Sequence, residues 1–141
     1  MINSFRGEHA FLSNFYTSSV YLDDEPYISV EHAYQAAKTL IYVERERIRR
    51  APKPGDAKRL GKKVTLRSDW NEIRLSIMED LLRQKFTLHK FLGEWLVETG
   101  DEELQEGNTW GDRYWGTVNR VGENHLGKLL MRIREELKSA T

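Results

Sequence analysis

The chain has no cysteine among its 141 residues, which excludes disulfides, thiolate zinc sites and cysteine nucleophiles. No apolar run reaches the length of a membrane span, and no basic start followed by an apolar stretch marks the N-terminus. These two absences point to a cytoplasmic protein with no membrane partner. HExxH, P-loop and GxGxxG patterns are missing, and His9, His32, His89 and His125 lack metal-ligand spacing. Ser13 has no evident His–Asp pair to activate it. Internal repeats, low-complexity tracts and linkers are also lacking. The length therefore predicts one domain over residues 1–141 with a single sizeable core.

Net charge is zero, yet the charge is unevenly placed. Residues 45–74 hold eleven Lys and Arg against four acids, a local +7. Such a block attracts phosphates, although a solvated helix face would show the same composition.

Val20-Tyr21-Leu22 and Pro26-Tyr27-Ile28 flank Asp23-Asp24-Glu25 and predict a short hairpin. A helix is expected from Val30 to Arg50, stopping before Pro52 because the residue preceding a proline avoids the α region. Asp56 can cap a short basic helix through Leu60. Asp69 with Glu72 reads as a capping box opening a helix whose buried stripe is Trp70, Ile73, Ile77, Leu81 and Phe86. A helix over 89–98 should turn Phe91, Leu92, Trp95 and Leu96 inward, with Gly100 ending it. A short strand over 103–106 and a last helix from about Asn124, with Leu126, Leu129, Leu130, Ile133 and Leu137 at core spacing, complete the pattern. The expected class is α+β, predominantly helical, with a small N-terminal β element.

Three segments carry candidate chemistry. In residues 29–38, SVEHAYQAAK, Ser29 is a plausible N-cap, and Glu31, Tyr34, Gln35 and Lys38 share a narrow arc at about 100° per residue. That arc offers a base, an aromatic, an amide and a cation to one small molecule. A solvated stripe with an incidental charge pair is the competing reading. His32 points elsewhere and is assigned to packing or capping. Residues 107–123 place Trp110, Asp112, Tyr114 and Trp115 among glycines. Tryptophan is costly to expose in a loop, so the segment reads either as a stacking wall for a flat base or as a plug in the core. In residues 11–15, FLSNF, Ser13 and Asn14 are small polar groups between apolar anchors, suited to a ligand or to an ordinary turn.

Taken together, FLSNFY (11–16), SVEHAYQAAK (29–38) and DRYWG…GENHLGKLLMRIREEL (112–137) resemble the NADAR or YbiA-like family. AKRLGKKV (57–64), DW…R…IM (69–78) and KF (85–86) follow the same pattern. The resemblance implies an N-glycosidase cleaving the ribose C1′–N bond of an exocyclic N-ribosylated base. Its substrates would be ADP-ribosylguanine in nucleic acid or a phosphorylated riboflavin precursor. It places the catalytic glutamate on Glu31 and the helix lysine on Lys38. Ligand contacts would fall on Ser13, Asn14, Gln35, Trp110, Asp112, Trp115 and Asn124, with Arg6, Tyr34 and Tyr114 as further candidates. After the WG pair the chain reads Thr117-Val118-Asn119-Arg120-Val121 where the family often has glycines and acids, which leaves the substrate-selecting wall open.

Breaking a ribosyl C–N bond develops positive charge at C1′, which a nearby carboxylate stabilises. Glu31 suits that role, and Asp112 is a candidate second carboxylate. Lys38 can bind a phosphate or hydroxyl, or capture the opened sugar as a Schiff base. This chemistry calls for no metal or organic cofactor. A non-catalytic ADP-ribose reader and a nucleic-acid binder using the basic block are the alternative functions. The sequence carries no expectation of oligomeric state.

Overall fold

The computed structural model describes residues 1–140. The chain divides into two compact units, Asn14–Lys85 and Met1–Ser13 with Phe86–Thr141. Among the described residues, six α-helices and one two-stranded antiparallel sheet near the N-terminus give the α+β, mainly helical class the sequence predicts.

The first unit begins with the hairpin. Strand β1 (Thr17–Leu22) pairs with β2 (Glu25–Ser29), and Asp23 and Asp24 make the turn at φ 48° and 68°. Two consecutive left-handed residues match the twist of a tight hairpin, and aspartate tolerates that conformation better than most side chains. Alternation along β1 turns Ser18, Val20 and Leu22 inward. Helix α1 (Val30–Ala37) follows β2 directly, and the Ser29 hydroxyl accepts from the His32 N–H at 3.1 Å. All eight residues of α1 are buried, because β1, β2, α2 and α3 all pack on it.

The single helix expected from Val30 to Arg50 is two helices, α1 and α2 (Tyr42–Arg49). Thr39 causes the break. Its hydroxyl accepts from the Ile41 N–H at 3.1 Å and donates to Glu44 Oε1 at 2.6 Å, replacing helical bonds with side-chain bonds. The Arg67 N–H then takes the Lys38 carbonyl at 2.8 Å.

Helix α3 (Pro54–Gly61) opens with proline in its first turn, which needs no N–H there. Lys53 is its N-cap; Asp56 lies inside the first turn and pairs with Arg59 at 2.7 Å instead of capping. At the start of α4 (Trp70–Leu88) the capping box is not formed. The Asp69 carboxylate pairs with Arg67 at 2.7 Å, and the Glu72 N–H bonds the Asp69 carbonyl. Trp70, Met78, Leu81, Leu82 and Phe86 are buried on α4, whereas Ile73 and Ile77 are half-buried, so the stripe is rotated from the expected one.

In the second unit, α5 (Lys90–Glu98) packs on α6 (His125–Ser139). Leu92 and Leu96 face inward, but Phe91 is 71% exposed and Trp95 41% exposed, against expectation. Gly93 explains the rotation: the Phe86 carbonyl sits where a Cβ would be, so the Leu92-Gly93-Leu96 face lies closest to the backbone. Trp95 instead meets the Phe11 ring edge-on at 5.6 Å. Gly100, at φ 68°, follows the helix as the sequence predicts. The strand expected at 103–106 is reduced to a single bridge between Ile2 and Leu104. Leu126, Leu129, Leu130 and Ile133 are buried on α6 at the predicted spacing, and Leu137 is half-buried. No helix among the described residues is long and apolar enough to cross a membrane.

Candidate active site

The Ser29 cap puts Glu31 in the first turn of α1, where the positive end of the helix dipole favours an anion. Its backbone N–H bonds the Asn14 carbonyl at 3.1 Å, tying Asn14 to the start of the helix. One turn on, Gln35 Nε2 donates to Glu31 Oε2 at 2.6 Å. Glu31 is 7% exposed and Gln35 4%. Gln35 Oε1 makes no hydrogen bond and faces Gly61 on α3, where a Cβ would overlap it. Glycine at 61 is thus what lets α3 close on this amide.

Lys38 is the C-cap of α1, half-buried, with its ammonium 5.9 Å from the centre of the Tyr34 ring. Tyr34 in turn packs tilted on Trp70 at 5.2 Å. Burial pushes the Lys38 pKa below its ordinary value; Glu31 opposes this, while Lys58 and Lys62 push it further down. Asn14 Nδ2 lies 3.6 Å from Met78 Sδ, and Asn14 Oδ1 carries no hydrogen bond. Asn14, Glu31, Tyr34, Gln35 and Lys38 therefore gather on and beside one short buried helix. His32 has the packing role expected: its ring meets the Ser29 hydroxyl at 2.7 Å and the Ala51 carbonyl at 2.9 Å.

The Gly- and Trp-rich loop is ordered by Asn108 and Asp112, and Asn108 was not singled out by the sequence. Asn108 is buried; its Nδ2 donates to the Asp112 carbonyl at 2.9 Å and its Oδ1 accepts from the Asp112 N–H at 3.0 Å. The Asn-x-x-x-Asp spacing beside glycines was the available signal. Asp112 Oδ1 accepts from the N–H groups of Tyr114 and Trp115 at 3.1 and 2.9 Å. Tyr114 meets Trp115 edge-on at 4.9 Å and packs on His125 at 4.5 Å. Trp115 is half-buried, whereas Trp110 is 53% exposed.

Asn124 sits in the left-handed region at φ 53°. Its Oδ1 accepts from the Glu106 N–H at 3.1 Å and its Nδ2 donates to the Leu104 carbonyl at 2.8 Å. Both ends of the amide thus fasten backbone. Ser13 is half-buried and ends the 3₁₀ turn Gly7–Leu12, its N–H bonding the Ala10 carbonyl. Arg6 precedes that turn and lines a cavity of about 290 Å³ with Asn3, Thr109, Asn119 and Arg120, which neither Trp110 nor Asp112 lines.

Lys85 is a further residue of chemical interest, marked in the sequence only by the KF pair. It is fully buried, 5.6 Å from the centre of the Tyr16 ring, and burial pushes its pKa down to about 7. No group of three or more His, Cys, Asp or Glu able to hold a metal occurs among the described residues.

Known proteins similar to this chain include an N-glycosidase and a riboflavin biosynthesis protein. N-glycosidase Npun_R5314 of Nostoc punctiforme is 38% identical over 133 residues, covering 90% of this chain and 85% of that protein. The riboflavin biosynthesis protein VVA0006 of Vibrio vulnificus is also 38% identical, with 92% of this chain matching 36% of that longer protein. The NMR structure of Escherichia coli YbiA superimposes with a TM-score of 0.84 at 33% identity, covering 99% of this chain and 88% of that one. Residues 3–138 match the NADAR domain, and the chain belongs to that family.

Proposed function

We propose that this chain is an N-glycosidase that cleaves the bond from ribose C1′ to the exocyclic nitrogen of a modified base, with ADP-ribosylguanine as its substrate. The names of its relatives Npun_R5314 and YbiA support the reaction class. The observation that carries the residue assignment is the Glu31–Gln35 pair: a nearly buried carboxylate, held at 2.6 Å by an amide donor, at a helix N-terminus. A preoriented anion of this kind stabilises positive charge at C1′ without reorganising during the reaction. The local +7 of residues 45–74 supports a polyanionic substrate.

Lys38 is the nucleophile in this reading. An exocyclic ribosylamine opens its ring to an imine at C1′. The Lys38 amine adds to C1′, the base leaves as its free amine, and a sugar–lysine Schiff base remains. Water then releases the sugar and restores the lysine. The depressed Lys38 pKa supports this role, since it raises the neutral fraction that can attack. Glu31 accepts and returns the protons of these steps. Within the loop of residues 107–123, Asp112 Oδ1 orders the backbone, and Trp110 and Trp115 are faces on which a base can stack.

A phosphorylated riboflavin precursor is the second reading, favoured by the name of the Vibrio relative. Supplying ADP-ribosylated guanosine and a ribosylaminopyrimidinone phosphate in parallel, and following release of guanosine or of the free aminopyrimidinone for the native chain and Glu31→Ala, decides between them. Release from neither substrate would remove the proposal.

A further inference from the structure

The break between α1 and α2 leaves four consecutive apolar residues, Leu40, Ile41, Tyr42 and Val43, exposed to solvent. Isolated exposed apolar residues are ordinary, but four in a row beside a fifth form a patch. The fifth is Leu66. Thr65 bonds Glu44 through both its N–H (2.9 Å) and its hydroxyl (3.0 Å), and the Arg67 N–H bonds the Lys38 carbonyl at 2.8 Å. Leu66 is thereby held between the two anchors that bracket residues 39–43. Tyr42 and Leu66 are 66% and 57% exposed, so neither serves the core.

Cations rim this ledge. Glu46 is paired with Arg49, Asp56 with Arg59 and Asp69 with Arg67. Among the described residues, Arg47 and Lys63 form no ion pair. Arg47 and Lys63 line one cleft with Ile48, Leu60 and Val64. The one acid there, Glu44, is turned onto Thr39 and Thr65 by three hydrogen bonds. The surface thus combines an exposed aromatic ring, aliphatic side chains and cations that are in no ion pair, although Glu44 lies in the cleft with Arg47. Bases stack on such rings while phosphates meet such cations. A protein partner of mainly apolar character would not need the cations.

We infer that the ledge of Leu40, Tyr42, Val43 and Leu66, rimmed by Arg47 and Lys63, grips single-stranded nucleic acid beside the modified nucleotide. The inference rests on the nucleic-acid reading above and deepens it. The ledge begins two residues after Lys38, so a strand held here runs on to the end of α1.

The test is fluorescence anisotropy with unmodified oligo-dT and with duplex DNA of equal length. The native chain should bind oligo-dT more tightly than duplex. The double variant Tyr42→Ala, Leu66→Ser should weaken oligo-dT binding roughly tenfold at fixed salt. The double variant Arg47→Gln, Lys63→Gln should instead lower the slope of log affinity against log salt by about 1.4. Both pairs are exposed, and thermal melting checks that they fold. Absence of oligo-dT binding at low salt, or binding unchanged in both variants, would overturn the inference. So would sedimentation showing a dimer of this chain that Tyr42→Ala dissolves. Release of ADP-ribose from a modified mononucleoside does not involve the ledge. Failure there with strand binding intact would sink the catalytic reading and leave this surface standing.

Discussion

Gln35 holds Glu31 by one hydrogen bond of 2.6 Å, and Gly61 holds Gln35 by leaving it room. The three residues act as a chain of support that ends on a carboxylate. Gly61→Ala should push the Gln35 amide off Glu31, destabilise the fold by about 1–3 kcal/mol and reduce base release roughly tenfold. In a Gln35→Ala background the added methyl has space, so the stability cost of Gly61→Ala should shrink. Denaturant midpoints and initial rates for the four proteins of that cycle provide the check.

Asn124 is expected to work as a fastener. Removing its amide in Asn124→Ala leaves the Glu106 N–H and the Leu104 carbonyl without their partner. A loss of about 1–3 kcal/mol should follow, read from the denaturant midpoint at constant m. Native stability in that variant would contradict the assignment.

Lys85 gives stability a dependence on alkaline pH. Its pKa in the folded chain is about 7, against an ordinary value of 10.5. Between those values the unfolded chain keeps the proton that the native state has released, so stability rises with pH across this window. Lys85→Met removes the group. The difference in melting temperature between Lys85→Met and the native chain should therefore drift in favour of the native chain from pH 7 to 10.5. A difference independent of pH would show that Lys85 keeps its ordinary pKa.

Lys38 should be trapped by borohydride during turnover. The expected product is a peptide containing Lys38 heavier by the reduced sugar. Lys38→Arg keeps the positive charge, cannot form a Schiff base, and should give no adduct and little release. An active enzyme that never traps would assign Lys38 to binding instead.

Much of this arrangement was legible in the chain, for reasons that are local. Ser29 caps α1 because its hydroxyl is three residues from an N–H, a distance fixed by helix geometry. The arc holding Glu31 and Gln35 follows from the helical repeat alone. The hairpin at Asp23-Asp24 and the leucines of α6 were likewise local signals. What failed depended on partners distant in sequence. Thr39 ends α1 partly because Arg67 supplies a donor to the Lys38 carbonyl, and no window around residue 39 contains Arg67. Phe91 and Trp95 look like core residues until Gly93 is seen against the Phe86 carbonyl. Asp69 fits a capping box, but Arg67 claims its carboxylate. At the site, Gly61 gave no sign of its role, because a glycine's neighbour cannot be read from its own segment.

The measurement that bears most directly on the central claim is release of the unmodified nucleoside by Glu31→Gln. That substitution keeps the shape of the side chain and removes its charge. Folding is verified by circular dichroism, and guanosine is followed from its ADP-ribosylated form. The expected result is a folded protein slowed by roughly 10²–10³-fold in turnover. A folded Glu31→Gln that turns over at the native rate would contradict the assignment of Glu31 as the group that meets the charge at C1′.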